Sequence, residues 1–269
     1  MRRPLLQVLL STVAVMASSG CASWGPPRHP DFKNRHAQLQ ALAILPPHIE
    51  AYRITFTGSN EMLYDLLPQA SHWAVEELEA TLAKRGYAMT PLEADDQRFS
   101  DRPELKASLH TIQGLFDKRM EEYRQRWLKG RFVYSVGSEV NVFADLADAD
   151  ALVLLRCLGI RKSAGEMTKD FMKSVLIGVA SLGSVMMIPY QAATVIQLAV
   201  IDGNTGDILW YYPTDAAPFD IGNEQLFRHA IRKAAKAFPK ATSLKAKAPL
   251  SSPAGAPARP SAVPVPTVP

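Results

Sequence analysis

The sequence predicts an α+β fold, a central mixed sheet of about five strands flanked by helices, with a helical insertion. Three observations predict it. The run Ala151-Leu152-Val153-Leu154-Leu155-Arg156-Cys157-Leu158 is apolar enough to sit inside a sheet covered on both faces. Two further strand-like runs, Ala193–Ile201 and Asp207–Tyr212, are joined by Asp202-Gly203-Asn204-Thr205-Gly206, whose composition is that of a hairpin turn. Between and around them lie stretches whose apolar residues recur at spacings of three and four, as on helices.

Taken in order, Ala41–Leu45 is a short apolar run stopped by Pro46-Pro47 and reads as a first buried strand. A helix follows over roughly Gln69–Arg85, with Ala70, Ala74, Leu78 and Leu82 on one face and Gly86 where a helix stop wants a left-handed residue. Tyr87-Ala88-Met89 reads as a short strand. Asp101-Arg102-Pro103-Glu104 has the residues of a capping box with proline in the first turn. Leu105, Leu109, Ile112, Phe116, Met120, Tyr123 and Trp127 carry that helical insertion to about Arg131, with Gly114 as a point of bending. A further helix covers Val140–Leu146, and Leu226, Phe227, Ala230, Ile231, Ala234 and Phe238 mark a closing helix over Asn223–Phe238.

The two ends differ in character from this body. Arg2-Arg3 precede an apolar run from Leu5 to Met16, then Ala17-Ser18-Ser19-Gly20-Cys21. A basic start, a short apolar core and a small-residue exit form a secretory signal, and the run is too short for a permanent span. Ser18-Ser19-Gly20-Cys21 resembles the lipobox of bacterial lipoproteins, although Ser18 stands where that family carries Leu. The resemblance implies a lipid on Cys21, and Ala22 behind it, rather than Asp, is similar to lipoproteins sent to the outer membrane. Residues 1–20 are thus expected to be a signal peptide, 21–40 a lipidated linker, 41–239 the globular domain and 240–269 a disordered tail of Ala, Pro, Ser, Lys and Val. With lipid on Cys21, Cys157 has no disulfide partner and reads as a small buried hydrophobe.

Charge bears on the class of partner. The formal net charge is +4, but Arg2 and Arg3 fall in the signal, and Lys240, Lys245, Lys247 and Arg259 lie at or in the tail. Without those cations the body is slightly acidic, which argues against nucleic acid. The expected partners are the membrane, through Cys21, and a second copy of the chain or another envelope protein.

From Ser174 to Ile201 there is no charged residue. Val175, Leu176, Ile177, Leu182, Met186 and Met187 are the apolar centre of its first part, which Pro189 ends. That part is too short for a transmembrane helix. It reads as a helix or hairpin packed on its own domain, or as a mobile apolar element that lies on the membrane or joins subunits.

No catalytic constellation is legible. His29, His36, His48, His72, His110 and His229 are scattered, with no His-x-x-x-His pair. There is no Gly-x-Ser-x-Gly, phosphate loop or Rossmann fingerprint, so the expectation is a non-enzyme with no catalytic residue, cofactor or metal. Asp202-Gly203-Asn204 opens like a calcium loop but lacks the later acidic ligand.

The strand ending in Ile44-Leu45-Pro46-Pro47, the helix ending Lys84-Arg85-Gly86-Tyr87, the strand from Ala149-Asp150-Ala151-Leu152-Val153 and the closing Val200-Ile201-Asp202-Gly203-Asn204-Thr205-Gly206-Asp207-Ile208-Leu209-Trp210 share a rhythm with known proteins. The pattern resembles periplasmic lipoproteins such as curli-secretion channel subunits and penicillin-binding-protein activators, over most of residues 41–239. The resemblance implies a mixed sheet with helices, ring assembly in some members and no catalytic residues; the stretch from Asp101 to Arg131 departs from it. Two function classes follow: a scaffold or secretion and assembly component at the outer membrane, or a periplasmic regulator of a cell-wall enzyme or itself a hydrolase of envelope material.

Overall fold

A computed structural model describes residues 25–54, 59–92, 101–126, 131–162, 176–179, 184–187, 191–214 and 216–242. In chain order the elements are α1 (Phe32–His36), β1 (Ala41–Ile44), β2 (His48–Ile54), β3 (Asn60–Met62), α2 (Leu67–Ala83), β4 (Ala88–Pro91) and α3 (Pro103–Arg126). There follow α4 (Asn141–Ala147), β5 (Ala151–Lys162), β6 (Leu176–Val179), β7 (Ser184–Met187), β8 (Ala192–Asp202), β9 (Ile208–Pro213) and α5 (Glu224–Ala237).

The spine is β5, twelve residues long. On one edge it pairs antiparallel with β8, from Ala151↔Asp202 to Arg161↔Ala192, and β8 pairs antiparallel with β9. Its other edge is shared. The first part takes β1 in parallel, Leu42↔Ala151 to Ile44↔Val153, and the rest takes β2 in parallel, His48↔Arg156 to Ile54↔Lys162. Across the join, Leu45-Pro46-Pro47 stand against only Leu154-Leu155. The Leu45 N–H still donates to the Val153 carbonyl at 3.0 Å, but the prolines have no N–H to give. β1 and β2 are therefore one edge line broken by a proline bulge. β4 extends β1 in parallel and β3 extends β2 antiparallel, which completes a seven-stranded mixed sheet. β6 and β7 form a separate two-stranded sheet.

The predicted class holds, with more strands than the five or so expected. The extra ones are β2 and β3, whose polar residues hid them: β2 buries Ile49, Ala51 and Ile54 while His48, Glu50, Tyr52 and Arg53 are only partly covered. α3 runs unbroken through Gly114.

Alternation along β5 sorts its side chains onto two covered faces. Val153, Leu155 and Cys157 pack with Phe32 of α1, Trp73 and Leu78 of α2, and Phe227 and Ile231 of α5. Leu152 and Leu154 pack with Ile112, Phe116 and Met120 of α3 and Phe143 of α4. Cys157 is fully enclosed, and burial pushes its thiol well above the ordinary range, so it serves as the expected small hydrophobe. Asn223 caps α5 by accepting from the Leu226 N–H at 3.1 Å, and Arg232 of α5 reaches Glu77 of α2 at 2.6 Å.

The segment before Ala41, read from its prolines as linker, is built into the body. Phe32 and Leu39 are buried in the core, and Arg28 bridges Trp210 of β9 antiparallel. The signal is the Phe32, His36, Leu39 spacing, one amphipathic turn that the neighbouring prolines obscured.

The β8–β9 turn needs glycine at position 206. Gly206 has φ +72°, and a Cβ there would lie 1.9 Å from the Gly137 carbonyl oxygen. Gly206→Ala is expected to lower unfolding stability by roughly 1–3 kcal/mol in urea titration. An unchanged midpoint would show that this contact yields freely.

Candidate functional site

One charged side chain interrupts the apolar faces of β5. Arg156 points to the α3 side and is 3% exposed, in a cross-strand row between His48 of β2 and Gln197 of β8. The row divides the apolar surface of that face. Below it lies the core under α3 and α4, and above it Ile54, Leu158, Ile160, Ala193 and Val195 form their own buried cluster.

A guanidinium cannot shed its charge, so burial demands partners for every arm. Arg156 Nη2 donates to Glu50 Oε1 at 3.2 Å, and Nη1 donates to His48 Nδ1. Because the guanidinium has no acceptor, that His48 nitrogen must accept, which leaves its Nε2–H facing Glu50 Oε1 at 3.1 Å. Tyr52 donates to the other Glu50 oxygen at 3.1 Å. From above, Asp117 of α3 brings Oδ1 to 3.1 Å from Arg156 Nε, but off the N–H axis, so the pair is a charge contact and not a hydrogen bond.

That difference in geometry separates the two carboxyls. Glu50 is held down to about 2, first by its hydrogen bond from His48, which with the Arg156 charge outweighs burial. Asp117 is pushed up to about 6, because its burial outweighs the attraction of Arg156 and His48. One carboxyl stays ionised and the other holds a proton in mildly acidic solution, the divergence seen in acid–base pairs. Here, however, the groups converge on Arg156 and fasten α3 to β2 and β5. Gln197 adds a buried Oε1 without a hydrogen-bond partner at the edge of the row.

The turn that opened like a calcium loop already has its cation. Arg35 of α1 donates from Nη1 to Asp207 Oδ2 at 2.7 Å and from Nε to Asp202 Oδ2 at 3.1 Å. Asp202 Oδ1 in turn accepts from the backbone N–H groups of Asn204 and Thr205 at 3.0 and 2.9 Å. Among the described residues no group of three or more His, Cys, Asp or Glu is placed to hold a metal ion, and no helix is long and apolar enough to cross a membrane.

Of the residues singled out from sequence, Cys21, Val175 and Leu182 lie outside the described residues. Leu176, Ile177, Met186 and Met187 fall on β6 and β7, which pair Leu176↔Met187 and Ile177↔Met186. They form a two-stranded antiparallel sheet of their own. The Arg156 cluster was not anticipated. A lone cation inside an otherwise apolar strand was its signal, since such a residue requires carboxylates nearby.

No protein-family model matches the chain, and no curated protein does. Solved structures similar to it at low identity include two of one protein. One is the PelC dodecamer from Paraburkholderia phytofirmans, at 12% identity and a TM-score of 0.35, covering 81% of this chain and 94% of that one. The other is a single-substitution variant of the same dodecamer, at 13% identity and a TM-score of 0.33, covering 77% and 92%.

Proposed function

We propose that the chain is a lipid-anchored envelope protein, a non-enzymatic scaffold or assembly component held at the outer membrane through Cys21 with its body in the periplasm. The observation that carries this reading is the Gly20-Cys21 junction behind the apolar run, only seven residues upstream of Arg28, which is already paired to β9. So short a lead keeps the folded body close to the surface that holds the lipid: even fully extended it spans about 25 Å. Two or more acyl chains give an anchor that does not dissociate on the timescale of assembly, because each buried methylene contributes about 0.8 kcal/mol. Assembly with further copies of the chain or with another envelope protein completes the reading.

Cys21→Ser is expected to move the protein from the membrane pellet to the soluble fraction of fractionated cells, with the body still folded. Mass analysis of the wild-type N-terminus should find a diacylglyceryl-modified cysteine. An unmodified sulfur there overturns the proposal, as does equal pelleting of wild type and variant. Native mass measurement of detergent-solubilised protein tests the assembly part: a defined oligomer is expected, and a monomer at all concentrations counts against it.

A further inference from the structure

The segment ahead of β1 is a strap laid on the edge of β9, and a histidine fastens its far end. At the near end the His29 N–H donates to the Leu209 carbonyl at 2.9 Å and the Tyr211 N–H to the Pro27 carbonyl at 3.1 Å, so residues 27–29 cover the outer edge of β9 at Trp210. In the middle Phe32 is buried in the core, and Arg35 pairs with Asp202 and Asp207 of the β8–β9 turn. His36 closes the strap. It is 8% exposed, with its ring centroid 5.0 Å from that of Phe32 and 5.5 Å from that of Phe238.

The polarity of its hydrogen bond is fixed by a neighbour. The Tyr87 hydroxyl donates to the Pro239 carbonyl at 3.0 Å, so it accepts at its 2.8 Å contact with His36, and Nε2 carries the ring proton. A second proton has only Nδ1 to go to, and it makes the buried ring a cation. The groups that meet that cation are neutral or of like charge. On its own segment stands Arg28, lying over the Phe32 ring at 5.4 Å. The α2–β4 connection brings Tyr87 and, beside it, Arg85. The end of α5 brings Phe238 and the Pro239 carbonyl, and β9 brings Trp210, edge-on to Phe238. Of the carboxylates on the strap and the turn, Asp31 stands by His29 at 3.9 Å, and Asp202 and Asp207 are paired to Arg35. Burial first, and then Arg28, hold His36 below the usual histidine value of 6.5.

We infer that His36 is an acid-sensitive latch: protonated at Nδ1, it releases residues 27–39 from the body and opens the edge of β9. The sign follows from the two states. The released segment carries an ordinary histidine and takes the proton first, so docking is strongest above pH 6.5 and weakens as pH falls below it. Release leaves the Leu209 carbonyl and the Tyr211 N–H without their strand partner. It also adds thirteen residues, up to about 45 Å, to the reach of the chain ahead of β1. Asp117 titrates in the same range with the opposite sign, so the body tightens on acidification while the strap loosens. The latch does not depend on the proposed anchor.

The test is hydrogen exchange of the full-length protein at pH 7 and pH 5, read by mass spectrometry and corrected for the intrinsic effect of pH on exchange. Peptides covering residues 27–39 and 208–213 are expected to lose protection several-fold at pH 5, while a peptide from β5 keeps its own. His36→Gln retains a donor towards Tyr87 and cannot titrate, so its strap should be equally protected at both pH values. His29→Gln should respond as the wild type does. Unchanged protection of the wild-type strap overturns the inference, as does the same loss in His36→Gln or its disappearance in His29→Gln. Should the strap of His36→Gln lie open at both pH values, the wild-type ring decides: release must track the His36 titration followed by NMR, and a mismatch overturns the latch.

Discussion

Arg156→Met is expected to destabilise the protein by about 3–5 kcal/mol, a large part of the 5–15 kcal/mol that holds a typical domain together. Methionine fills the volume of the arginine stem, so little cavity is made. The cost comes from what is left behind: Glu50 and Asp117, 16% and 21% exposed, would face each other's charge without the guanidinium between them. The cluster joins α3 to two strands, so its loss should also loosen Phe116 and Met120, which pack on the same face. Urea unfolding of the variant checks the magnitude, and a loss under about 1 kcal/mol would mean that the network is solvated and of little consequence. Adding Glu50→Gln and Asp117→Asn to Arg156→Met is expected to restore much of the loss, because the desolvation penalty on the carboxylates goes with them. Failure of that restoration would place the role of Arg156 in packing instead of charge.

This network also marks the boundary of what the sequence discloses. Elements with strong local patterning were legible: β5 by its apolar run, the β8–β9 hairpin by Asp202-Gly203-Asn204-Thr205-Gly206, and α5 by its spacing. Their bounds differ from expectation by a few residues. β5 runs on through Gly159–Lys162, past the apolar run, because β2 and β8 extend alongside it. β2 was missed because a strand whose buried residues alternate with half-buried polar ones, placed after two prolines, carries as many polar residues as a loop. The candidate cluster was illegible for another reason. Asp117 lies on a helix and Glu50 on a strand remote in sequence, and only the packing of α3 on the sheet and the β2–β5 register bring them to Arg156.

The stability of the protein is expected to fall as pH rises from about 4 to 6, and Asp117→Asn is expected to abolish most of that fall. Asp117 has its folded value raised to about 6 from an ordinary 3.8, so between those values the folded state binds more protons than the unfolded chain. Stability then declines with pH, by on the order of 3 kcal/mol once both states are ionised. Glu50 acts in the opposite sense. With its folded value lowered to about 2 from 4.5, its contribution is present above 4.5 and is lost as pH falls towards 2. The two limbs meet near pH 4, which makes the wild-type profile a peak there as far as this cluster decides it. Asn at position 117 removes the high-pH limb and leaves the low-pH limb in place. Unfolding free energies of wild type and variant at pH 4, 5, 6 and 7 isolate the effect, because every other titrating group is common to both. Curves that converge at pH 4 and separate towards pH 7, with the variant the more stable, are the expected result. Parallel curves would mean that water reaches Asp117 and holds its carboxyl near the ordinary value, and the off-axis contact with Arg156 would then carry no penalty.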